Sequence, residues 1–252
     1  MRNIKLTIEY DGTRFRGWQQ QSPEHRTVQD EIEKALQIIF RKKIKLTVSG
    51  RTDSGVHAIG QVANFKTANR RLKTTDIQKA LNGNLPEDIT ILGVAEVPVG
   101  FHAQYSAKRK TYRYTILNRP VRTALDRHFC CFYPHTLSLP AMRREAAVLK
   151  GKNDFRAFMA MDTAKRATIP DKNTVRTISQ LDIKKKGDAI VIEIEANGFL
   201  YKMVRNIVGT LLAIGSGQLP KGAMRRILAQ KSRKLAGQTA PAQGLCLLKV
   251  TY

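Results

Sequence analysis

Only three of the 252 residues are cysteine: an adjacent pair, Cys130 and Cys131, and a distant Cys246. An odd count with no C-x-x-C spacing excludes a disulfide framework and the usual thiolate metal sites, so all three are expected as small buried hydrophobes. The five histidines are scattered, give no ligand pair at helical spacing, and leave no metal site to expect. Neither a Walker-type phosphate loop nor a dinucleotide fingerprint occurs; Gly215-Ser216-Gly217, followed by Leu219-Pro220, fits neither. No apolar run approaches the roughly 18 residues of a membrane span. Met1-Arg2-Asn3-Ile4 runs straight into a strand pattern and leaves no room for a signal peptide. These absences predict a cytoplasmic protein that works without a metal or cofactor.

Acidic side chains are also scarce: 20 Asp and Glu against 44 Lys and Arg, a formal net charge of +24. That excess is far beyond what solubility requires and is the footprint of a polyanion partner, most often nucleic acid. The length allows a real core, in one large domain or two small ones.

Apolar periodicity gives the organisation. Ile4, Leu6, Ile8 and Tyr10 alternate as a half-buried strand requires. Thr27 caps a helix with Val28, Ile32, Ala35, Leu36, Ile39 and Phe40 on one face, closed by Arg41-Lys42-Lys43. A strand from Ile44 to Val48 follows, then a polar loop, a strand around Gln61 to Phe65, a helix from Thr75-Asp76 that stops before Asn82-Gly83, and a strand from Ile89 to Val97. The order β-α-β-β-α-β is repeated in pattern, though not residue by residue. Its second round has a strand through Tyr112, Tyr114 and Ile116, a helix from Leu139 to Leu149, strands Val175–Ile183 and Ala189–Ala196, a helix from Phe199 to Ala213, another around Ala223 to Ala229, and a last strand from Leu245 to Val250. The fold class expected is α+β: two tandem split β-α-β halves, 1–104 and 105–252, with antiparallel sheets and helices on one side. Two polar stretches, Gln19 to Arg26 and Ala157 to Thr174, break the rhythm, and their lysines and arginines mark them as RNA-contacting loops.

The most informative segment is Ser49-Gly50-Arg51-Thr52-Asp53-Ser54-Gly55-Val56-His57-Ala58. Its glycines allow a sharp turn and a close approach of backbone to ligand. Asp53 then projects from the end of a strand with the cation of Arg51 two residues away, which favours the charged carboxylate that a nucleophile needs. An Asx turn, with Asp53 capping its own backbone, fits the same residues.

Gly50-Arg51-Thr52-Asp53-Ser54-Gly55-Val56-His57-Ala58 resembles the active-site signature of the TruA family of tRNA pseudouridine synthases, with Ser54 where alanine is usual. Four further segments resemble family motifs in the expected order: Tyr10-Asp11-Gly12-Thr13 with Phe15 and Gly17-Trp18-Gln19-Gln20-Gln21; Asn84-Leu85-Pro86 with Asp88-Ile89, then Phe101-His102-Ala103; Lys110-Thr111-Tyr112-Arg113-Tyr114; and Asn197 through Gly209. The resemblance implies a cofactor-independent isomerisation of uridine to pseudouridine at positions 38, 39 and 40 of the tRNA anticodon stem-loop, by a homodimer with its active site in the cleft between the halves.

By the same resemblance Asp53 is the nucleophile, attacking either ribose or uracil, or else abstracting a proton on a glycal route. Tyr112 becomes the platform on which uracil stacks, with a hydroxyl able to move a proton, where the residue alone reads as an ordinary strand tyrosine. Arg205, otherwise a surface arginine at the edge of its helix's apolar stripe, becomes the partner of the Asp53 carboxylate. Arg51 either binds phosphate or fills the place of the extruded nucleotide, and His57 fixes the loop. Phe101, His102, Gln104 and Tyr105 are expected to line an RNA channel, with Arg71, Arg122, Lys165 and Arg166 on the RNA face. Two rivals remain at this stage: an RNA-binding assembly protein without catalysis, and a pseudouridine synthase acting on another RNA.

Overall fold

A computed structural model describes residues 1–19, 24–160 and 173–252. Its packing divides the chain into two units, one of Met1–Lys108 with Cys246–Tyr252 and one of Arg109–Leu245. The closing strand therefore packs with the first unit, where the sequence pattern ran it on as the end of the second half.

The first unit follows the order β1 (Arg2–Tyr10), α1 (Val28–Phe40), β2 (Thr47–Val48), β3 (His57–Thr67), α2 (Thr74–Asn84) and β4 (Ile89–Val97), joined by β10 (Leu245–Thr251). Strand β1 lies between β3 and β4, antiparallel to both, and β2 runs antiparallel to β3. On the other side of β3, β10 adds a short parallel pairing, Cys246 opposite His57 and Leu247 opposite Ala58. The alternation read in β1 is real burial: Ile4, Leu6, Ile8 and Tyr10 are enclosed together with Ile32 and Leu36 of α1 and Ile77 and Leu81 of α2.

Three boundaries in this unit differ from expectation. Ile44 and Leu46 are buried, yet the ladder covers only Thr47 and Val48, because the Leu46 amide donates to Glu33 Oε1 at 3.0 Å instead of to a strand. Strand β3 is longer than its apolar run and takes in His57 and Ala58 of the polar loop. Helix α2 passes through Asn82-Gly83. The Asn82 amide there exchanges hydrogen bonds with both backbone groups of Ile91 (2.8 and 3.1 Å), beside the register shift where β1 meets β4, and the chain turns only at Leu85, ahead of Pro86.

The second unit runs β5 (Arg109–Leu117), β6 (Cys131–Phe132), α3 (Leu139–Ala147), β7 (Gly151–Asp154), β8 (Val175–Lys186), β9 (Ala189–Ala196), α4 (Met203–Gly215) and α5 (Ala223–Gln230). Strands β5, β9, β8 and β7 pair antiparallel in that order, and β6 adds a short parallel pairing to β5. Strands β6 and β7 have too few residues to show a period, so the sequence does not reveal them. Helix α3 packs against α4, α5 and β8. Glu145 of α3 is buried, and its carboxylate accepts the Gly222 and Met224 amides (2.8 and 3.1 Å) at the start of α5, where an anion is favoured. Both units thus combine a sheet with helices on one side, the mixed α+β architecture expected.

Candidate active site

In the first unit the Asp53 loop is held by the segment that follows β1. The Trp18 amide donates to the Thr52 carbonyl (3.1 Å), and the Gly55 amide and Ser54 hydroxyl both donate to the Phe15 carbonyl (3.3 and 3.1 Å). Buried Tyr10 and Thr52 share a hydroxyl–hydroxyl hydrogen bond of 2.7 Å, and burial pushes the Tyr10 hydroxyl well above its ordinary range, so it stays neutral. Two glycines make this docking possible. A Cβ on Gly12 would lie 2.1 Å from the Val56 carbonyl oxygen, and one on Gly17, at φ 89°, 2.7 Å from that of Thr52. The opening motif and the signature loop are therefore one structure, packed backbone on backbone.

Within the loop the Val56 amide closes a turn onto the Asp53 carbonyl (3.2 Å), with Gly55 left-handed at φ 76°. Behind it, buried Gln61 accepts from the Ser49 hydroxyl (2.7 Å) and donates to the Gly50 carbonyl (2.9 Å). His57 is buried; its Nδ1 accepts the Gly12 amide at 3.0 Å and lies 3.1 Å from Asp11 Oδ1. Thr52, Ser54, Gly55, Val56 and His57 are thus engaged in holding the turn; Asp53 is half-buried, and Arg51 and Ser54 are exposed. On the flank, Arg26 forms a bidentate pair with Asp88 (2.7 and 2.9 Å) and covers the Phe15 ring at 4.3 Å.

The second unit carries Tyr112 and Arg205. Tyr112, on β5, is 7% exposed, and its ring stands edge-on to Phe199 with centroids 5.1 Å apart. Tyr114 shares that strand face but is a core residue, donating from its hydroxyl to the Pro241 carbonyl at 2.8 Å. Lys110 lies two residues before Tyr112 on the same strand; burial, with Arg176 nearby, pulls its amine down to about 8. The sequence offered Lys110 only as part of a motif, and alternation along β5 was the available sign that it shares the Tyr112 face.

Arg205 sits in the first turn of α4. Its Nε donates to the Ala240 carbonyl (2.8 Å) and its own carbonyl accepts the Ala240 amide (3.1 Å), which fixes the plane of the guanidinium. Lys202 enters this helix in a left-handed conformation, φ 57°, a strained setting for a residue with a Cβ. The neighbouring motif residues are scaffolding. Buried Asn206 donates to the Phe158 carbonyl (2.7 Å) and accepts from Arg233 and Thr239 (3.0 and 2.6 Å). Gly209 lets the Gln238 backbone lie where a Cβ would come within 1.7 Å of its carbonyl oxygen.

The other candidates are dispersed. His102 Nδ1 accepts the Gln104 and Tyr105 amides (both 3.2 Å), and its ring stacks on that of Tyr105 at 4.3 Å, so it shapes a turn that leaves Gln104 and Tyr105 exposed. Phe101 packs on Tyr252 at 4.8 Å. Arg71 is exposed, Arg122 lines a cavity of the second unit, and Lys165 and Arg166 lie outside the described residues. Among the described residues no cluster of His, Cys, Asp and Glu has the makings of a metal site, and no helix is long and apolar enough to cross a membrane.

The family model described as tRNA pseudouridine synthase matches residues 6–106 and 146–252. The chain is similar to tRNA pseudouridine synthase A of Thermoanaerobacter sp. (strain X514), 45% identical over 252 residues that span all of both chains. It is similar also to the enzyme of that name from Acetivibrio thermocellus, 44% identical over 252 residues and again all of both chains. With that of Shouchella clausii it is 46% identical over 253 residues, covering all of this chain and 94% of the other. Likeness of this extent, on a chain whose signature loop and opening motif are built as one structure, makes it a member of the TruA family of tRNA pseudouridine synthases, enzymes that isomerise uridine to pseudouridine in tRNA.

Proposed function

We propose that Asp53 is the nucleophile of this isomerisation, that Tyr112 is the stacking surface for uracil and a proton acceptor, and that Arg205 is the cation that keeps the carboxylate charged and oriented. The observation that carries the reading is the rigidity built around Asp53: backbone docking at Gly12 and Gly17, the Tyr10–Thr52 bond and the His57 bridge all fix a half-buried carboxylate on a short turn. A loop whose only task was to cap its own backbone would not need that support.

The chemistry is a rearrangement that balances within the nucleoside. The bond from N1 to the ribose C1′ breaks, the uracil turns, and a bond from C5 to C1′ forms. The hydrogen on C5 then leaves as a proton, and N1 gains one. No electron acceptor or transferred group is required. A held carboxylate stabilises or captures the electron-poor fragment, a flat ring keeps the detached base from diffusing, and a hydroxyl beside it is placed to take the C5 proton.

The substrate we infer is the anticodon stem-loop at positions 38, 39 and 40, reached by extruding the uridine, with Arg51 either on phosphate or in the vacated place. Phe101, His102, Gln104 and Tyr105, with Arg71, Arg122, Lys165 and Arg166, are the RNA contacts proposed; the acidic deficit of the chain supports them. We infer also a homodimer, working in the cytoplasm where its substrate is. The test is tritium release from C5-labelled uridine in unmodified tRNA. Asp53→Asn should abolish release and leave tRNA affinity nearly unchanged, since the amide keeps the shape but cannot attack. Turnover within tenfold of the unmutated enzyme would remove Asp53 from the chemistry.

A further inference from the structure

One cavity of the second unit, about 450 Å³, is lined by Arg122, Arg127, Cys130, Phe132 and Gln243 among others. That is within the range of about 300–1,000 Å³ typical of small-ligand pockets. Its rim is a loop with an unusual surface: Val121, Leu125, Phe129 and Phe132 are all exposed, between Arg119, Arg122 and Arg127. The loop is built, not loose. Arg119 Nε donates to the Val121 carbonyl (2.7 Å) and its Nη1 to Asp188 (3.3 Å), while Arg127 Nη1 donates to the Ala124 carbonyl (2.5 Å) and the Cys130 thiol to that of Asp126 (3.2 Å). Arg122, by contrast, has no hydrogen-bonding or ionic partner for its side chain among the described residues.

A guanidinium presented beside an aromatic face and apolar walls matches a nucleotide, whose phosphate takes the fork and whose base takes the ring. An acidic protein partner would satisfy the arginines but leaves the ring and the apolar rim unexplained. A second copy of the chain seated on this face is the alternative that the sedimenting mass of the variants reads out. We propose that this cavity is a docking site for an RNA nucleotide distinct from the reacting uridine, its phosphate held by Arg122 and Arg127 and its base laid on Phe132. The site rests on the tRNA-modifying activity and extends the grip of the enzyme beyond its chemical centre.

The test separates charge from stacking. Binding of unmodified tRNA is measured against salt for the unmutated chain, for Arg122→Ala/Arg127→Ala, and for Phe132→Leu, with melting temperature and sedimenting mass recorded for each. The double variant should bind at least fivefold more weakly, and its log–log salt slope should be shallower by about 0.7 to 0.9 for each phosphate that is no longer neutralised. Phe132→Leu should lose affinity with the slope intact. Unchanged affinity in either variant overturns the site, as does an unchanged slope accompanied by a fall in sedimenting mass, which would make the face a protein contact. Absence of tritium release by the unmutated chain would instead count against the activity itself, and is read independently of these variants.

Discussion

Replacing Lys110 by methionine should make the protein more stable and less active. The amine lies in a largely desolvated position beside Arg176 and is pulled from its ordinary 10.5 down to about 8. An unfolded chain therefore binds more protons than the folded one between those values, and stability rises with pH across that window. The cost of keeping the charge is present in full below about 8, fades as pH increases, and is gone above about 10.5. At roughly 1.4 kcal/mol per pH unit the cost at pH 7 is on the order of 3 kcal/mol, and at pH 10 below about 1. Methionine keeps the unbranched apolar stem and removes the charge, so Lys110→Met should unfold at higher denaturant at pH 7, and the gap should close to less than half by pH 10. Equilibrium urea unfolding at the two pH values measures both terms. A position that holds a charge at such expense, two residues from Tyr112 on one strand face, is expected to serve the reaction, so turnover should fall as stability rises. A variant no more stable than its parent, or one with the same gap at both pH values, refutes the burial argument. A stabilised and fully active variant refutes the functional half.

Tyr112→Phe should preserve tRNA affinity and lose turnover on the order of 10²-fold or more, the scale of a missing general base, with Tyr112→Leu at least as inactive. An active Phe variant, with Leu lowering only the melting temperature, would reduce Tyr112 to a packing residue. For Arg205→Met, turnover should fall far more than binding, and Arg205→Lys should rescue only partly, because an ammonium lacks the planar fork. Loss chiefly of tRNA affinity would move Arg205 to the RNA surface.

The elements with strong periods were legible in the sequence: the apolar face of α1, the alternation of β1 and β5, and the limits of β4. Local propensity misled where a side chain replaced a backbone partner. Glu33 took the Leu46 amide and shortened β2, and Asn82 joined β4 and kept α2 going past a glycine. The parallel contact of β10 with β3 joins residues far apart in the chain, and no short-range period encodes it. For the proposed site, the motifs alone singled out Asp53, Tyr112 and Arg205. What the sequence hid was the division of labour around them. The Gly12 and Gly17 approaches, the Nδ1 bond of His57 and the burial of Lys110 all depend on atoms brought close by folding.

The return of β10 to β3 also orders events during synthesis. Residues 246–252 are made only after the whole second unit, yet they cover the side of β3 that carries His57 and Ala58, with Gly60 tight against the Leu248 carbonyl. Until they arrive, a nascent chain has an open strand edge next to its aspartate loop, a template for pairing with other chains. The first part of the protein to emerge from the ribosome is thus the last to be finished, and a message cut short near its end would yield a chain with every motif residue present and the edge of β3 at His57 and Ala58 unpaired.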